Sequence, residues 1–304
     1  MTIPVARRIF ESYEQRAKSY PRRHLGASGI GEECERKLWL AFRWAAEERH
    51  EGRILRLFET GKLEERRVLD DLAQTGFVVE PFDPVTGNQF SVFLFGGHFG
   101  GSCDGIAEDP DTGGKFIVEI KTHNARSFSS LVKHGVRKSK PQHFAQMQMY
   151  LGFFSLRRAL YIAVDKNTDA IHDEWVEFDP EEFERLKRKA ERVIFSPKPP
   201  RGVSTTPEFF QCRMCHFSAQ CHAGELPAVN CRTCLHSTPE PSGGWGCERH
   251  GRPLSTEAQV TGCSEHLFVP GLLPWRQVDV TADGVLYEGG WVNRRGGRFE
   301  KQRG

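Results

Sequence analysis

The sequence contains no apolar run that approaches the roughly 18 residues of a membrane-spanning helix. Its first ten residues, MTIPVARRIF, lack the apolar core of a secretory signal peptide. It has no internal repeat, no long low-complexity run, and no G-K-[ST] sequence after its glycine-rich stretch GGHFGG. We therefore expect an intracellular, cytoplasmic protein with no membrane partner and no phosphate-binding loop of the Walker type.

A strong excess of either charge is also absent, because 42 Lys and Arg residues stand against 40 Asp and Glu residues, for a formal net charge of +2. Such a balance says little about partners, since basic and acidic residues can be segregated locally. The chain has 304 residues, of which 38% are hydrophobic and 27% charged. This composition indicates a globular protein with one large domain, or one domain and a small appendage.

Cysteine is unevenly distributed along the chain. Seven of the nine cysteines lie between residues 212 and 263, in CRMCHFSAQC and in CRTC…WGC…TGC, whereas Cys34 and Cys103 stand alone. An intracellular compartment keeps thiols reduced, so close cysteine spacings indicate metal binding rather than disulfides.

Hydrophobic periodicity and turn signals predict an α/β fold. Helices are predicted over 5–19, 32–46, 53–74, 126–135, 141–155 and 180–195, and strands over 77–80, 90–95, 99–107, 115–121, 158–164 and 172–178. A proline-rich connector over 196–207 precedes the cysteine-rich segment and a glycine-rich tail. We expect helices around a short mixed central sheet.

One predicted hairpin, CDGIAEDPDTGGKFIVEIKTH, carries charged side chains within an apolar pattern. If Ala107 pairs with Phe116, Asp104 lies opposite Glu119, and alternation places Lys121 on the same face as Glu119. Two carboxylates so close repel unless a cation lies between them, and Mg²⁺ prefers such oxygen ligands. This arrangement suits phosphodiester hydrolysis. The alternative is a surface hairpin with an incidental salt bridge.

Three further features favour a hydrolytic site. Glu65 lies within the apolar stripe of helix 53–74, whereas its neighbour Glu64 points off that stripe. The stripe consists of Ile54, Leu57, Phe58, Gly61, Val68, Leu69 and Leu72. Gln146 and Tyr150 lie one helical turn apart. The third feature is the basic stretch 121–143, which has six Lys or Arg, three His and no acidic residue. Such a stretch suits a phosphate backbone, although in isolation it is usually a solvated loop.

Together these residues resemble a known family. The set Glu65, Asp104, EIK (Glu119 to Lys121) and Gln146-x-x-x-Tyr150 resembles the PD-(D/E)xK nuclease superfamily, and within it the RecB-like branch with the lambda-type phage exonucleases. The resemblance spans about residues 61–150 and implies a restriction-endonuclease-like core. Many RecB-like members have His at the position of Glu65, whereas the lambda-type enzymes have Glu.

The resemblance also implies roles for these residues. Asp104, Glu119 and the Ile120 carbonyl would hold Mg²⁺ (or Mn²⁺), with Glu65 as a further ligand. Lys121 would position or activate the attacking water. The remaining pair has supporting roles: Gln146 would help fix the site, and Tyr150 would lie near the DNA strand.

The expected function is that of a Mg²⁺-dependent exonuclease acting on linear DNA in recombination, repair or phage DNA metabolism, in a bacterium or a phage-infected host cell. Expected partners are DNA and, by analogy, a single-strand annealing protein or a helicase, because no helicase motif is present. A structure-specific endonuclease and a non-catalytic DNA-binding scaffold are the alternatives. The intact Asp104, Glu119 and Lys121 argue against the scaffold.

The first cysteine group, Cys212-x2-Cys215-x5-Cys221, provides three thiolates that need a fourth ligand. Combined with the distant Cys34, it resembles the iron–sulfur nucleases of the AddB and CRISPR-adaptation type. The resemblance implies that these four cysteines hold a [4Fe–4S] cluster that joins the chain ends beside the core. Zinc is the alternative metal for an all-cysteine site.

The second cysteine group predicts a small zinc-binding module. Its sequence is Cys231-x2-Cys234-x12-Cys247-x15-Cys263, and His236, His250 or His266 can replace one sulfur. A segment with few large apolar side chains needs such a metal to fold. We therefore expect a nuclease domain over 1–226 and a module with a tail over 227–304. His98 and Cys103 are not expected to be ligands.

Overall fold

The fold is seen in a computed structural model that describes residues 4–17, 21–281, 284–294 and 298–301. Within these ranges, no helix combines the length and the apolar character needed to cross a membrane. The longer helices are α1 (Val5–Arg16), α2 (Glu35–Phe42), α3 (Gly52–Gln74), α4 (Ala125–Ser139), α5 (Pro141–Phe154) and α6 (Pro180–Phe195). Two short helices, α7 (Phe210–Arg213) and α8 (Thr256–Thr261), follow.

Two sheets lie in the first two thirds of the chain. The smaller has the order β1–β4–β3 and contains β1 (Leu25–Gly26), β3 (Ser91–Leu94) and β4 (Phe99–Ser102). The central sheet has the order β2–β5–β6–β7–β8 and contains β2 (Val78–Glu80), β5 (Gly105–Glu108), β6 (Lys115–His123), β7 (Arg158–Asp165) and β8 (Ile171–Glu177). It is mixed, because β6 is antiparallel to β5 and parallel to β7. The predicted α/β class with a short mixed sheet is confirmed.

Helix starts near the site follow from local sequence. Asn124 caps α4 by accepting a hydrogen bond from Ser127 N (2.8 Å). Pro141 occupies the first turn of α5, where its missing N–H costs nothing. Asp179 caps α6 through Glu182 N (3.0 Å). These local signals fix where α4, α5 and α6 begin.

The central sheet has two different faces. Phe116, Val118 and Ile120 of β6 pack with Val68 and Leu69 of α3 on one face. Ile117 lies on the opposite face, in the larger core formed with α4, α5 and α6. The predicted alternation along β6 is therefore correct. The N-terminal half of the predicted α3 stripe is not buried, because Leu57 is 38% exposed and Phe58 is 49% exposed.

Three predicted elements differ from the structure. The predicted strand 99–107 is two strands in different sheets, β4 and β5, since the chain bends at Asp104 between them. The predicted helix 32–46 is limited to α2. The glycine-rich tail forms a four-stranded antiparallel sheet, with β12 (Gln277–Thr281), β13 (Gly284–Tyr287), β14 (Trp291–Arg294) and β15 (Arg298–Lys301).

The cysteine-rich segment shares the core of the preceding domain. Its sheet contains β9 (Ser237–Pro239), β10 (Trp245–Cys247) and β11 (Arg252–Leu254). Trp245 lies in the same buried cluster as Phe42 of α2, with ring centroids 5.4 Å apart. Across the expected boundary after residue 226, Ala228 N donates to Ala45 O (2.8 Å). Buried contacts therefore cross the predicted boundary after residue 226, and the division into two domains stays a prediction.

Two buried arginines strengthen this junction. Arg232 lies over the ring of Trp44 (3.7 Å) and donates to Phe42 O (2.9 Å). Arg43 donates to Arg232 O (2.9 Å) and lies over Trp245 (5.3 Å). Burial lowers the pKa of Arg43 to about 10 and that of Arg232 to about 9. Both guanidinium groups are therefore held by carbonyl oxygens and aromatic faces.

Candidate active site

Asp104 and β6 meet in the register that the sequence predicts. Ala107 pairs with Phe116 and Gly105 with Val118, so Asp104, the next residue outward, falls opposite Glu119. Asp104 Oδ2 accepts a hydrogen bond from Ile120 N (2.7 Å). This bond anchors the carboxylate at the bend between the two sheets.

The Lys121 ammonium contacts three oxygens of this site. Nζ donates to Ile120 O (3.0 Å), forms an ion pair with Glu119 Oε1, and lies 3.8 Å from Asp104 Oδ2. Burial alone lowers the pKa of Lys121, but the charges of Glu119 and Asp104 together outweigh burial and raise it. The three oxygens thus form a place where a cation is favoured, and the ammonium lies at that place.

Glu119 is fully buried. Burial raises its pKa to about 8, the nearby Lys121 charge opposes that rise, and the Asp104 charge adds to it. Despite the ion pair, neither carboxylate oxygen accepts a hydrogen bond of acceptable geometry from the described residues. A buried carboxylate is costly, and its ion pair with the Lys121 ammonium offsets part of that cost.

Glu65 lies half-buried on α3 and faces the same charges. Burial and the Asp104 charge raise its pKa, whereas Lys121 opposes the rise. Glu64 instead forms an ion pair with Arg67 (2.6 Å). Among the described residues, however, no group of three or more His, Cys, Asp or Glu side chains is spaced to hold a metal ion. Glu65 is therefore near the site without lying at ligand distance together with Asp104 and Glu119.

We expect Glu65→Gln to lower the cleavage rate by about 10- to 100-fold, the usual cost of losing a group beside a metal ligand. Glu64→Gln is the matched control, because it removes a charge one residue away that pairs with Arg67. Initial rates on a labelled duplex at saturating Mg²⁺ measure both. Equal rates for the two variants would show that Glu65 does not act at the site.

Gln146 and Tyr150 support the strand that leads into Asp104. Gln146 Nε2 donates to Tyr150 Oη (3.1 Å), which donates to Ser102 O (2.7 Å). A Cβ atom on Gly101 would lie 2.9 Å from Tyr150 Oη, so only glycine allows this approach. The resemblance implied that Tyr150 lies near the DNA strand. Tyr150 is only 1% exposed and its hydroxyl is bonded to Ser102 O, so a role near the DNA stays a prediction.

The basic stretch forms α4 and its flanks. Lys133 and Lys138 are exposed. Arg137 instead pairs with Asp179 (3.1 Å) and lies over the Phe144 ring (4.8 Å). Lys140 donates to Ser127 Oγ (2.6 Å). The stretch therefore offers fewer free cations than its composition suggested.

The structure brings the first cysteine group together from distant parts of the chain. Burial raises the pKa of Cys212, and the charges of Cys34 and Cys215 add to the rise. Burial also raises the pKa of Cys221. The charge and hydrogen bond of Arg36 oppose this rise, and the charges of Cys215 and Cys34 add to it. The described thiols are not spaced as a metal site, so the [4Fe–4S] assignment stays a prediction.

The second cysteine group lines one cavity. Cys231, Cys234, Cys247 and Cys263 surround it together with His236, His250 and His266. Burial and the three other thiols raise the pKa of Cys231 to about 11. Cys263 Sγ lies 3.6 Å from His250 Nε2. Zinc at this cavity also stays a prediction, because no metal-like spacing occurs among the described side chains.

His98 and Cys103 lie in the core. His98 Nε2 donates to Glu240 O (2.9 Å), and its ring packs edge-on against Phe42 (5.9 Å between centroids). Cys103 is fully buried, and its Sγ lies 3.8 Å from Phe90 O.

Comparisons with known proteins give distant similarities of fold. No protein-family model matches the chain, and no curated protein matches it significantly. An alkaline exonuclease from Laribacter hongkongensis is similar over 60% of this chain and 90% of its own, at 16% identity and a TM-score of 0.40. A phage-related exonuclease from Haemophilus somnus is similar over 43% of this chain and 66% of its own, at 15% identity and a TM-score of 0.31.

A polar cluster beside the site was missed at the sequence level. Tyr161 of β7 pairs in register with Glu119, and its hydroxyl lies between the rings of His123 and His143. One signal was available: His123 follows Lys121 by two residues in β6, and thus lies on the same face of the sheet. Tyr161 and His143 come from β7 and α5, and a local sequence pattern does not predict that these elements meet at His123.

Proposed function

We propose that this protein is a Mg²⁺-dependent DNA exonuclease that hydrolyses phosphodiester bonds of linear DNA. The observation that carries the proposal is the convergence of Asp104, Glu119 and the Ile120 carbonyl on the Lys121 ammonium. The exonuclease assignment also rests on the motif resemblance to lambda-type enzymes. Recombination, repair or phage DNA metabolism is the proposed setting, with DNA as substrate and an annealing protein or helicase as partner.

The donor set fits Mg²⁺. The ion is commonly bound by one or two carboxylates together with substrate phosphates. Asp104 and Glu119 supply two carboxylates, and both already face a cation, the Lys121 ammonium. A bound Mg²⁺ ion would lower the pKa of a water and stabilise charge on the phosphate.

The protein's own groups then have separate tasks. Asp104 and Glu119 hold negative charge where a cation binds, and the Ile120 N–H fixes the Asp104 carboxylate. Lys121 presents its ammonium at the same oxygens, next to where a phosphate charge develops. Gln146 and Tyr150 hold the strand before Asp104 in place.

The direct test compares DNA forms. We expect Mg²⁺ to support degradation of linear duplex DNA, and a chelator to stop it, while a covalently closed circle of the same sequence stays intact. Gel electrophoresis of linear, nicked, circular and single-stranded substrates measures this. Cleavage of the closed circle would favour the endonuclease, and the absence of cleavage with binding retained would favour the scaffold.

We expect the double variant Lys133→Ala with Lys138→Ala to weaken DNA binding and to reduce the slope of log K against log salt by about two units, one for each lost phosphate contact. The physical reason is that both ammonium groups are exposed on α4. Fluorescence anisotropy across a salt series measures the slope. Lys187→Ala on α6 is the control. An unchanged slope in the double variant would show that Lys133 and Lys138 do not contact DNA phosphates.

The two cysteine groups complete the proposal. Cys34, Cys212, Cys215 and Cys221 are proposed to bind a [4Fe–4S] cluster, and Cys231, Cys234, Cys247 and Cys263 to bind zinc. The convergence of each set of thiols supports these assignments. Iron, sulfide and zinc analysis of the anaerobically purified chain tests them.

A further inference from the structure

A chain of hydrogen-bonded side chains links α4 to α5 beside the acidic site. Lys140 Nζ donates to Ser127 Oγ (2.6 Å), and Ser127 Oγ lies 3.1 Å from His123 Nδ1. His123 Nε2 lies 2.9 Å from Tyr161 Oη, which lies 2.7 Å from His143 Nδ1. Four contacts thus join five side chains, one each from α4, β6, β7 and α5 and one from Lys140 between α4 and α5.

This chain ends next to the proposed catalytic residues. Tyr161 pairs in register with Glu119 on the neighbouring strand, so both side chains lie on one face of the sheet. The Lys121 charge, after burial, contributes to lowering the pKa of His143. His143 lies on α5, three residues before Gln146, and is partly exposed. The His143 end of these hydrogen-bonded side chains therefore lies near the Lys121 ammonium.

Both imidazoles in the chain are neutral near pH 7. Burial, with the charges of Lys140, Lys166 and Lys121, lowers the pKa of His123 to about 4. Burial and the Lys121 charge, with smaller contributions from His123 and Lys140, lower the pKa of His143 to about 3. Each ring therefore has one nitrogen that donates and one that accepts.

The direction of the chain follows from counting protons. An ammonium only donates, so Ser127 Oγ accepts from Lys140 and has one proton of its own to give. If Ser127 gives it to His123 Nδ1, then His123 Nε2–H donates to Tyr161 Oη, and the Tyr161 hydroxyl donates to His143 Nδ1. Every proton then has an acceptor.

The reverse direction is less favourable. It leaves the Ser127 proton without an acceptor among the described side chains, and it turns the N–H and O–H dipoles toward the positive charge of Lys140. In the favoured direction, the proton of His143 is on Nε2. That nitrogen has no hydrogen-bond partner among the residues that the structure describes, so its N–H is free to donate.

We propose that His143 donates an Nε2–H hydrogen bond to a DNA phosphate at this site, and that Tyr161 and His123 are positioning residues that hold its tautomer. The proposal rests on the proposed nuclease function for its ligand. The tautomer itself does not depend on DNA, and this allows the two to be tested separately.

The first experiment determines the tautomer in the DNA-free protein by ¹⁵N NMR of histidine-labelled full-length chain at pH 7. We expect His143 to show a protonated Nε2 and a bare Nδ1, and Tyr161→Phe to abolish this single-tautomer signal. Tyr287→Phe is the matched control, because it removes a buried hydroxyl from the C-terminal sheet. A protonated Nδ1 on His143 in the wild type would overturn the proposal.

The second experiment measures the Kd of a labelled duplex by anisotropy, with Ca²⁺ in place of Mg²⁺ to prevent turnover. We expect His143→Leu to raise Kd by about 10- to 100-fold, the effect of one hydrogen bond to a charged group. His143→Gln places an amide N–H near the position of Nε2 and should restore most of the affinity. Equal losses in the two variants would indicate a structural role and overturn the proposal.

The outcomes separate this contact from the nuclease function. If the wild type cleaves linear DNA and His143→Leu binds it as tightly as the wild type, only the phosphate contact is overturned. If the wild type neither binds nor cleaves DNA, the contact and the nuclease proposal both fail.

Discussion

Glu119→Gln is expected to lower the rate of DNA cleavage by about 100-fold or more, while the protein stays folded. The reason for the first effect is that the amide cannot supply the negative charge that holds a metal ion. The reason for the second is that the amide has nearly the same shape as the carboxylate at this fully buried position, and Asp104 and the Ile120 carbonyl still contact the Lys121 ammonium.

Cleavage of linear duplex and urea unfolding of the same preparation measure the two effects. Asp111→Asn is the control, because it removes an exposed carboxylate from the turn of the same hairpin. Asp104→Asn should match Glu119→Gln in activity. A folded Glu119→Gln protein with wild-type activity would exclude the proposed metal site.

Trp245→Ala is expected to destabilise the whole protein by about 3–5 kcal/mol, the usual cost of removing a buried tryptophan. Trp245 is 2% exposed and packs against Phe42, and the guanidinium groups of Arg43 and Arg232 lie over its ring at 5.3 and 4.8 Å. Because these contacts join α2 to the cysteine-rich segment, we expect one cooperative unfolding transition for both regions.

Trp175→Ala is the matched control. Trp175 is 39% exposed, so removing its ring should lower the free energy of unfolding by less. A chain truncated after residue 226 tests the same junction, because it removes Trp245 and Arg232 together. We expect this truncated chain to be insoluble or only partly folded. A folded and active 1–226 fragment would support the domain boundary that the sequence predicts and would contradict this expectation.

Local sequence determined much of the core of the candidate site. Alternation along β6 and the turn EDPDTGG predicted that Asp104 lies opposite Glu119, and the structure has this register. The predicted starts of α5 and α6, at residues 141 and 180, agree with the structure. These features depend on residues close in sequence, where strand alternation and turn chemistry leave little choice of register.

Only the tertiary structure decided which distant groups meet. The periodicity of α3 identified Glu65 but not its distance from Asp104, and it overestimated burial of the helix, because a stripe does not show whether another element covers it. The sequence also did not show that Tyr150 packs closely on Gly101 and donates to Ser102 O. The junction of Arg232 with Trp44 joins residues 188 positions apart, and His123, Tyr161 and His143 come from three elements. Such contacts arise when the chain packs to bury apolar surface and to pair its buried polar groups, so no local pattern specifies them.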